Sequence, residues 1–350
     1  MLFKISVILV VVFLGLVYQF IQPPAPELCG SPNGPPLTSP RIQLRDGRHL
    51  AYMETGTPKE KANYRIIIVH AFNECKELGI FASQDLVEKL QIYFLSYDRP
   101  GYGESDPNPR RTIKTDAMDI EELADQLKIG SKFYVFGPSL GGCLLWGFLK
   151  YIPHRLEGAA LIGPPINLWW PSLPANLSRE AYRKKLVEDQ RVLWIAHNAP
   201  SFLYWWMTQQ WFASRIPVNK FPELLSRQDK EIFQKKLTMP IIAECEKKAQ
   251  QQGIFESLLR DVMVIFGKWD FDPLHMSNPF PNNEGTVHLW HGSEDKMVPV
   301  QLQHYVSKAL PWVRYHEYPE GGHLFLFVDG FTDIILKALL LGEEPRLIKE

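Results

Sequence analysis

From Arg41 onward the chain alternates short apolar runs with stretches in which apolar residues recur at helical spacing, without an internal sequence repeat. The runs are YRIIIVH (64–70), IYFLSYD (92–98), KFYVF (132–136), EGAALIG (157–163), VHLWHG (287–292) and VRYHEY (313–318). Such runs suit strands covered on both faces, and strands joined through single helices return by right-handed crossovers into a mostly parallel sheet. Helices are expected over 76–90, over 115–130 ending at Gly130, over 144–152 stopping at Pro153, over 300–310, and from about Leu324 to Leu341. RIQLRDG (41–47) and HLAYMETG (49–56) read as a hairpin turning at Asp46-Gly47.

The rhythm breaks once, between Pro164 and about Asn283. Seven of the ten tryptophans (Trp169, Trp170, Trp194, Trp205, Trp206, Trp211 and Trp269) fall here. A helical insertion with a large aromatic face is the natural reading, because Trp presents apolar area with a polar tip. Part of that face is expected in the insertion's own core, and part over a pocket or at a membrane-facing rim.

Ahead of this alternation, Ile5 to Pro26 carry no charge, and the run from Ile5 to Ile21 is predominantly apolar, at the short end of a membrane-spanning helix. A cleaved signal peptide would have a shorter apolar region and a small-x-small site, whereas this run ends in Tyr-Gln-Phe-Ile. The expectation is an anchor over residues 1–22, with residues 5–22 in the endoplasmic reticulum or another endomembrane. A signal peptide releasing a secreted body, or a buried terminal helix, are the alternatives. Lys4 before the run and only Glu27 up to Ser39 would leave the body lumenal. Residues 23–40 read as a linker, too rich in Pro and Gly for a helix or strand.

With 38 basic and 39 acidic residues and a net charge of −1, the chain lacks the basic field that a nucleic-acid partner requires. Cys29, Cys75, Cys143 and Cys245 are widely spread without Cys-x-x-Cys, which is neither a disulfide scaffold nor a zinc pattern; a bridge is compatible with a lumenal body, but the spacing selects none. No cofactor is expected. There is no Gly-x-Gly-x-x-Gly after a strand, no phosphate loop and no His-Glu-x-x-His.

The chemistry centres on Gly137-Pro-Ser139-Leu-Gly141, which follows KFYVF and precedes LLWGFL. A serine hydroxyl needs an adjacent base to act as a nucleophile, and a strand–turn–helix elbow with small residues on either side thrusts it out at the sheet's carboxyl edge. The partners should follow in the order acid, then histidine, at later strand ends. Asp295 follows VHLWHG, and His323 follows VRYHEY. His323 would take the Ser139 proton while Asp295 fixes its tautomer. Asp270 and Glu294 are the rival acids, and His70, His197 and His291 the rival bases. The oxyanion donors are expected at the backbone N–H groups of Leu140 and Phe72, with Ala71 as second choice for the latter. The loop Asp98–Asp106 reads as a rigid border of the site.

IIIVHAF (66–72), DRPGYGESD (98–106), GPSLGG (137–142), HGSEDKMVP (291–299) and GGH (321–323) resemble the α/β-hydrolase family over about residues 41–345. DRPGYGESDPNP, DIEELADQL, KYIPHR and FPNNEG with VHLW are similar to a plant group of membrane-anchored α/β-hydrolases, and the loop motifs to epoxide hydrolases, which carry an aspartate where this chain has Ser139. The resemblance implies an α/β-hydrolase fold: a mostly parallel sheet with helices on both faces, a core in two parts (41–163 and 284–350), and an aromatic helical cap over 164–283. It implies hydrolysis of esters, thioesters or related acyl compounds by Ser139, Asp295 and His323; the order of these residues and the tryptophan cluster together point to a bulky apolar small molecule as substrate. Acyl transfer or lyase chemistry in the same pocket, and a low-turnover ligand-binding protein on this scaffold, are the alternatives. Ala71 and Pro138 depart from the family's pattern, which usually has Gly at the former.

Overall fold

The computed structural model describes residues 2–209, 224–237 and 239–345. In chain order the body opens with a helix α1 (Leu2–Ile21), then β1 (Arg41–Gln43), β2 (His49–Gly56), β3 (Tyr64–Val69), α2 (Gln84–Leu90), β4 (Ile92–Tyr97), α3 (Ile113–Gln126), β5 (Phe133–Pro138), α4 (Leu140–Tyr151) and β6 (Leu156–Ile162). The insertion supplies α5 (Ala175–Arg183), α6 (Val187–Asn198), α7 (Leu203–Thr208), α8 (Arg227–Leu237), α9 (Pro240–Gln250) and α10 (Arg260–Phe266). The chain closes with β7 (Thr286–Gly292), α11 (Val300–Ala309), β8 (Val313–Tyr318) and α12 (Phe331–Leu341).

The strands form one sheet in the order β1-β2-β4-β3-β5-β6-β7-β8. The β1–β2 hairpin turns through Asp46-Gly47 and joins antiparallel; from β4 to β8 every pairing is parallel. Alternate residues of the central strands serve opposite faces. Ile67, Val69, Val135 and Leu161 pack toward α3, α4 and α11, while Ile66, Ile68, Phe136 and Ile162 pack toward α2 and α12. The mostly parallel sheet with helices on both faces is therefore present, and the insertion enters after its central strand β6.

The helix expected over 115–130 is Ile113–Gln126, ending four residues before Gly130, and two other expected helices are broken by glycines. Residues 76–90 divide into a 3-10 turn (Lys76–Leu78) and α2, because Gly79 takes φ +56 and Lys76 is held by the buried Asp98 carboxylate at 2.8 Å. Ser83 then caps α2, accepting from the Leu86 N–H. The closing helix is interrupted at Gly330, whose φ of +75 separates a turn at Phe325–Phe327 from α12. Residues 22–40 carry no helix or strand, but their end is tied down. Glu104 accepts from the N–H and hydroxyl groups of Thr38 and Ser39, and these bonds outweigh burial and hold its carboxyl down to about 2.

Among the described residues no helix is long and apolar enough to cross a membrane. The uncharged part of α1, Ile5–Ile21, reaches about 26 Å at 1.5 Å per residue, short of the ~30 Å hydrocarbon core. This corrects the anchor expected over residues 1–22, and with it the membrane partner at 5–22, the endomembrane placement and the membrane-anchored character of the plant resemblance.

The tryptophan expectation is corrected in part. Trp170 is buried against Trp269 and against Trp146 of α4, at the seam between insertion and body, and Trp169 packs against the same core while stacking on His197 of the insertion with ring centroids 4.5 Å apart. Trp211 lies outside the described residues.

A disulfide joins Cys75, just past β3, to Cys245 on α9, across 170 residues of chain. It fastens the insertion to the loop that carries Phe72. Closing so long a loop restricts the unfolded chain strongly, so Cys245→Ser is expected to lower stability by about 2–5 kcal/mol, read as a shift of the urea midpoint. A reductant should shift the wild-type midpoint equally and leave the variant's unchanged. An unshifted variant would show that the bridge contributes nothing.

Candidate active site

The strand β5 runs straight into α4 with one residue between them. Ser139 bears the whole turn, at φ 47 and ψ −118, a conformation uncommon for a residue with a side chain. Its N–H donates to the Ile162 carbonyl at 2.6 Å, which pins the elbow to β6. The flanking glycines are needed for space. A Cβ on Gly141 would stand 1.9 Å from the Val69 carbonyl oxygen, and one on Gly137 would stand 2.7 Å from the Gly141 backbone. Pro138 is accommodated because it closes an extended strand.

The Ser139 hydroxyl lies 2.9 Å from His323 Nε2, and His323 Nδ1 lies 2.7 Å from Asp295 Oδ2. Asp295 sits on the turn after β7, where its Oδ1 accepts from the N–H groups of Met297 and Val298 at 2.8 and 2.9 Å. Burial pushes the Asp295 carboxyl up, yet the facing His323 ring and these donors hold it below the usual carboxylate range. Burial likewise pushes His323 down, and the Asp295 charge outweighs it, leaving the imidazole more basic than usual. An ionised Asp295 accepts from Nδ1–H and so leaves Nε2 free to accept the serine proton.

The rival residues lie elsewhere. Asp270 accepts from the Tyr151 hydroxyl, and Glu294 is exposed. His70 is buried, with Nδ1 2.8 Å from the Ala71 carbonyl oxygen and Nε2 accepting from the Arg99 N–H. Burial and the Arg99 charge push it well below the usual histidine range, so it is a neutral strut for the Asp98–Asp106 loop. His197 meets the Phe266 carbonyl, and His291 the Val298 carbonyl at 2.9 Å, under the Asp295 turn.

Leu140 is the first residue of α4, where backbone N–H groups have no intrahelical acceptor. Ala71, the second choice for the other donor, already gives its N–H to Glu74 Oε2 at 3.1 Å. Phe72, Leu140, Ser139 and His323 line one cavity of ≈ 320 Å³. Its walls are mostly apolar, with Val192, Leu193, Val262 and Phe266 from the insertion and Ile162 and Leu302 from the body, and a few charged side chains, Glu74 and Asp189 among them, also border it. No tryptophan lines it among the described residues; Trp169 and Trp194 instead border a separate cleft of ≈ 360 Å³ on the insertion.

Several contributors escaped sequence reasoning. Lys185 and Lys236 border the cavity, and burial lowers both ammonium groups below the usual lysine range. Asp229 at the start of α8 is fully buried against the His323 loop. The sequence signal for it is Ser226-x-x-Asp229, a helix-start pattern.

The sequence profile described as alpha/beta hydrolase fold matches residues 64–330. Two relatives from Arabidopsis thaliana are similar to the chain. The probable lysophospholipase BODYGUARD 2 is 19% identical over 85% of this chain and 63% of its own length, and the probable lysophospholipase BODYGUARD 1 is 20% identical over 77% and 56%. The chain thus spans less than two thirds of the length of either relative. Among solved structures, a thermophilic esterase from Thermogutta terrifontis superposes with a TM-score of 0.55 at 18% identity, covering 85% of this chain and 95% of the esterase. An esterase from Exiguobacterium antarcticum gives 0.57 at 17%, covering 85% and 97%.

Proposed function

The chain belongs to the alpha/beta hydrolase fold family, and from that membership we propose that it is a serine-dependent carboxylic-ester hydrolase acting on a small apolar substrate. The observation that carries the reading is the hydrogen-bonded series Asp295–His323–Ser139 at the wall of an apolar cavity. The names of its relatives, lysophospholipase and esterase, point the same way.

In this reading the Ser139 Oγ attacks the ester carbonyl as its proton passes to His323 Nε2. The N–H groups of Leu140 and Phe72 stabilise the oxyanion that forms. The tetrahedral intermediate collapses, the alkoxide leaves with the proton from Nε2, and an acyl-Ser139 ester remains. Water then attacks, giving its proton to Nε2, and the carboxylic acid departs as Ser139 regains the proton. The apolar walls select bulky apolar acyl or alcohol groups by removing their surface from water.

The test is to screen short- to medium-chain aryl esters and to label the protein with a fluorophosphonate probe. Wild type is expected to label and to turn over, and Ser139→Ala to do neither. Labelling that persists in Ser139→Ala would reject the nucleophile. Tight ligand binding without labelling or turnover would favour a receptor-like protein, and products that shift to an added alcohol acceptor would favour acyl transfer.

A further inference from the structure

We propose that Asp229, contributed by the insertion, is the positioning residue for the histidine base: a second carboxylate that grips the backbone of the His323 loop while Asp295 holds the ring. The inference rests on His323 being that base. Asp229 is 0% exposed. Its Oδ2 accepts from the His323 N–H at 2.9 Å, and its Oδ1 from the Leu324 N–H at 2.6 Å. Gln228 Oε1 accepts from the neighbouring Gly322 N–H at 3.2 Å, so three successive backbone donors of this loop end on two adjacent residues of α8.

The fit is close on both sides. A Cβ on Gly322 would stand 2.1 Å from the Asp229 carboxyl carbon, so glycine is what lets the carboxylate reach the loop. Asp229 is fixed in turn by a reciprocal cap: its own N–H donates to Ser226 Oγ at 3.0 Å, and its Oδ2 accepts from the Ser226 N–H at 3.2 Å. A rotation of α8 would therefore move the base relative to Ser139, coupling insertion and chemistry through one side chain.

Bonding alone would make Asp229 a brace. Its charge gives a second effect, because it adds to that of Asp295 in favouring the imidazolium. The other groups facing the ring are His291 beneath Asp295, Lys236 on α8, which opposes both carboxylates, and Ser139. Ester turnover requires neutral His323, so kcat/KM falls as pH drops through its pKa. Removing the Asp229 charge must move that acidic limb to lower pH.

The experiment compares wild type, Asp229→Asn, Gly322→Ala and Ser226→Ala in pH–rate profiles on an aryl ester, with His323 ring titration followed by NMR. Asp229→Asn keeps shape but presents one N–H donor with an amide. It is expected to lower kcat by about 10²-fold, the scale of a slightly misplaced base, with KM little changed and the acidic limb shifted down. Gly322→Ala, which pushes the carboxylate away from the other side, should shift the limb in the same direction and serves if the first variant does not fold. Ser226→Ala loses one of the two bonds that fix Asp229 but keeps its charge and its bonds to the His323 loop, and should lower the melting temperature while moving the limb less than either of the other variants. A limb unchanged in both Asp229→Asn and Gly322→Ala, or moved equally by Ser226→Ala, would overturn the proposal. Failure of the base assignment is distinguishable: His323→Ala would then keep its turnover, and the NMR titration would still report whether Asp229 raises His323.

Discussion

Alanine at Ser139 or at His323 is expected to lower kcat for a reactive aryl ester by roughly 10⁶-fold each, and the double substitution is expected to cost no more than either alone. The reason is that the two act as one device. Without the base, the hydroxyl keeps its proton and attacks no faster than an alcohol; without the hydroxyl, the base has no nucleophile to activate. Asp295→Asn should cost less, roughly 10⁴-fold, because the amide leaves the geometry standing but favours the wrong His323 tautomer. What is expected to remain in every variant is binding in the cavity and stabilisation by the N–H groups proposed as oxyanion donors, those of Leu140 and Phe72. Rates are to be taken at saturating ester, with active sites counted by the probe in wild type. Losses that multiply in the double variant would mean that Ser139 and His323 act independently. Asp270→Asn is the control, and should change kcat by less than a few fold, since that carboxylate is engaged with Tyr151.

The strands were legible because burial on both faces forces an apolar residue at nearly every position, as in Ile66 to Val69, all buried. The elbow was legible because crowding around it demands glycine at 137 and 141, and the order of acid and histidine follows from which strand ends reach the same edge. Element ends were less so. Helical spacing runs through Gly79 and Gly330, and only the folded chain reveals that each takes a positive φ. The aromatic segment misled for a related reason: composition shows how much apolar area the insertion carries, but not which face receives it. The cavity took aliphatic side chains and phenylalanine, and the indoles of Trp169 and Trp170 went to the seam. Long-range pairings carry no local signal at all. Ser226-x-x-Asp229 announces a helix start, yet nothing in it points to His323, 94 residues away, just as nothing in the spacing pairs Cys75 with Cys245.

The largest loss of stability is expected from Asp261→Ala, on the last helix of the insertion. Asp261 Oδ1 accepts from Arg99 Nη1 at 2.5 Å and from Arg111 Nη1 at 2.7 Å, and Oδ2 accepts from the Tyr102 hydroxyl at 2.6 Å. Asp261 and both arginine side chains are 0% exposed. Burial pushes the carboxyl up, but the two guanidiniums outweigh it and keep the group ionised below the usual range, so its contribution is present at neutral pH and fades only as pH falls through the depressed folded-state value. Alanine would strand both cations in a dry interior. Arg111 keeps the Asp116 carboxylate, at 2.8 Å, whereas Arg99 keeps the Ala71 carbonyl, at 3.1 Å, and the Tyr102 ring, 4.6 Å from its guanidinium, and has no other carboxylate partner among the described residues. Breaking a buried pair in this way costs about 3–5 kcal/mol. Most of that is the penalty of the orphaned Arg99 charge, not the worth of the bond, which gives the prediction its sharpest form. The double variant Asp261→Ala with Arg99→Met should be more stable than Asp261→Ala alone, measured by urea unfolding of each single and double variant. If the second substitution deepens the loss, the network stabilises by its attraction and the orphaned-charge account is wrong. Because Arg99 also holds the Ala71 carbonyl beside Phe72, the same loss should reach the chemistry, with kcat falling in Asp261→Ala even at temperatures where the variant remains folded.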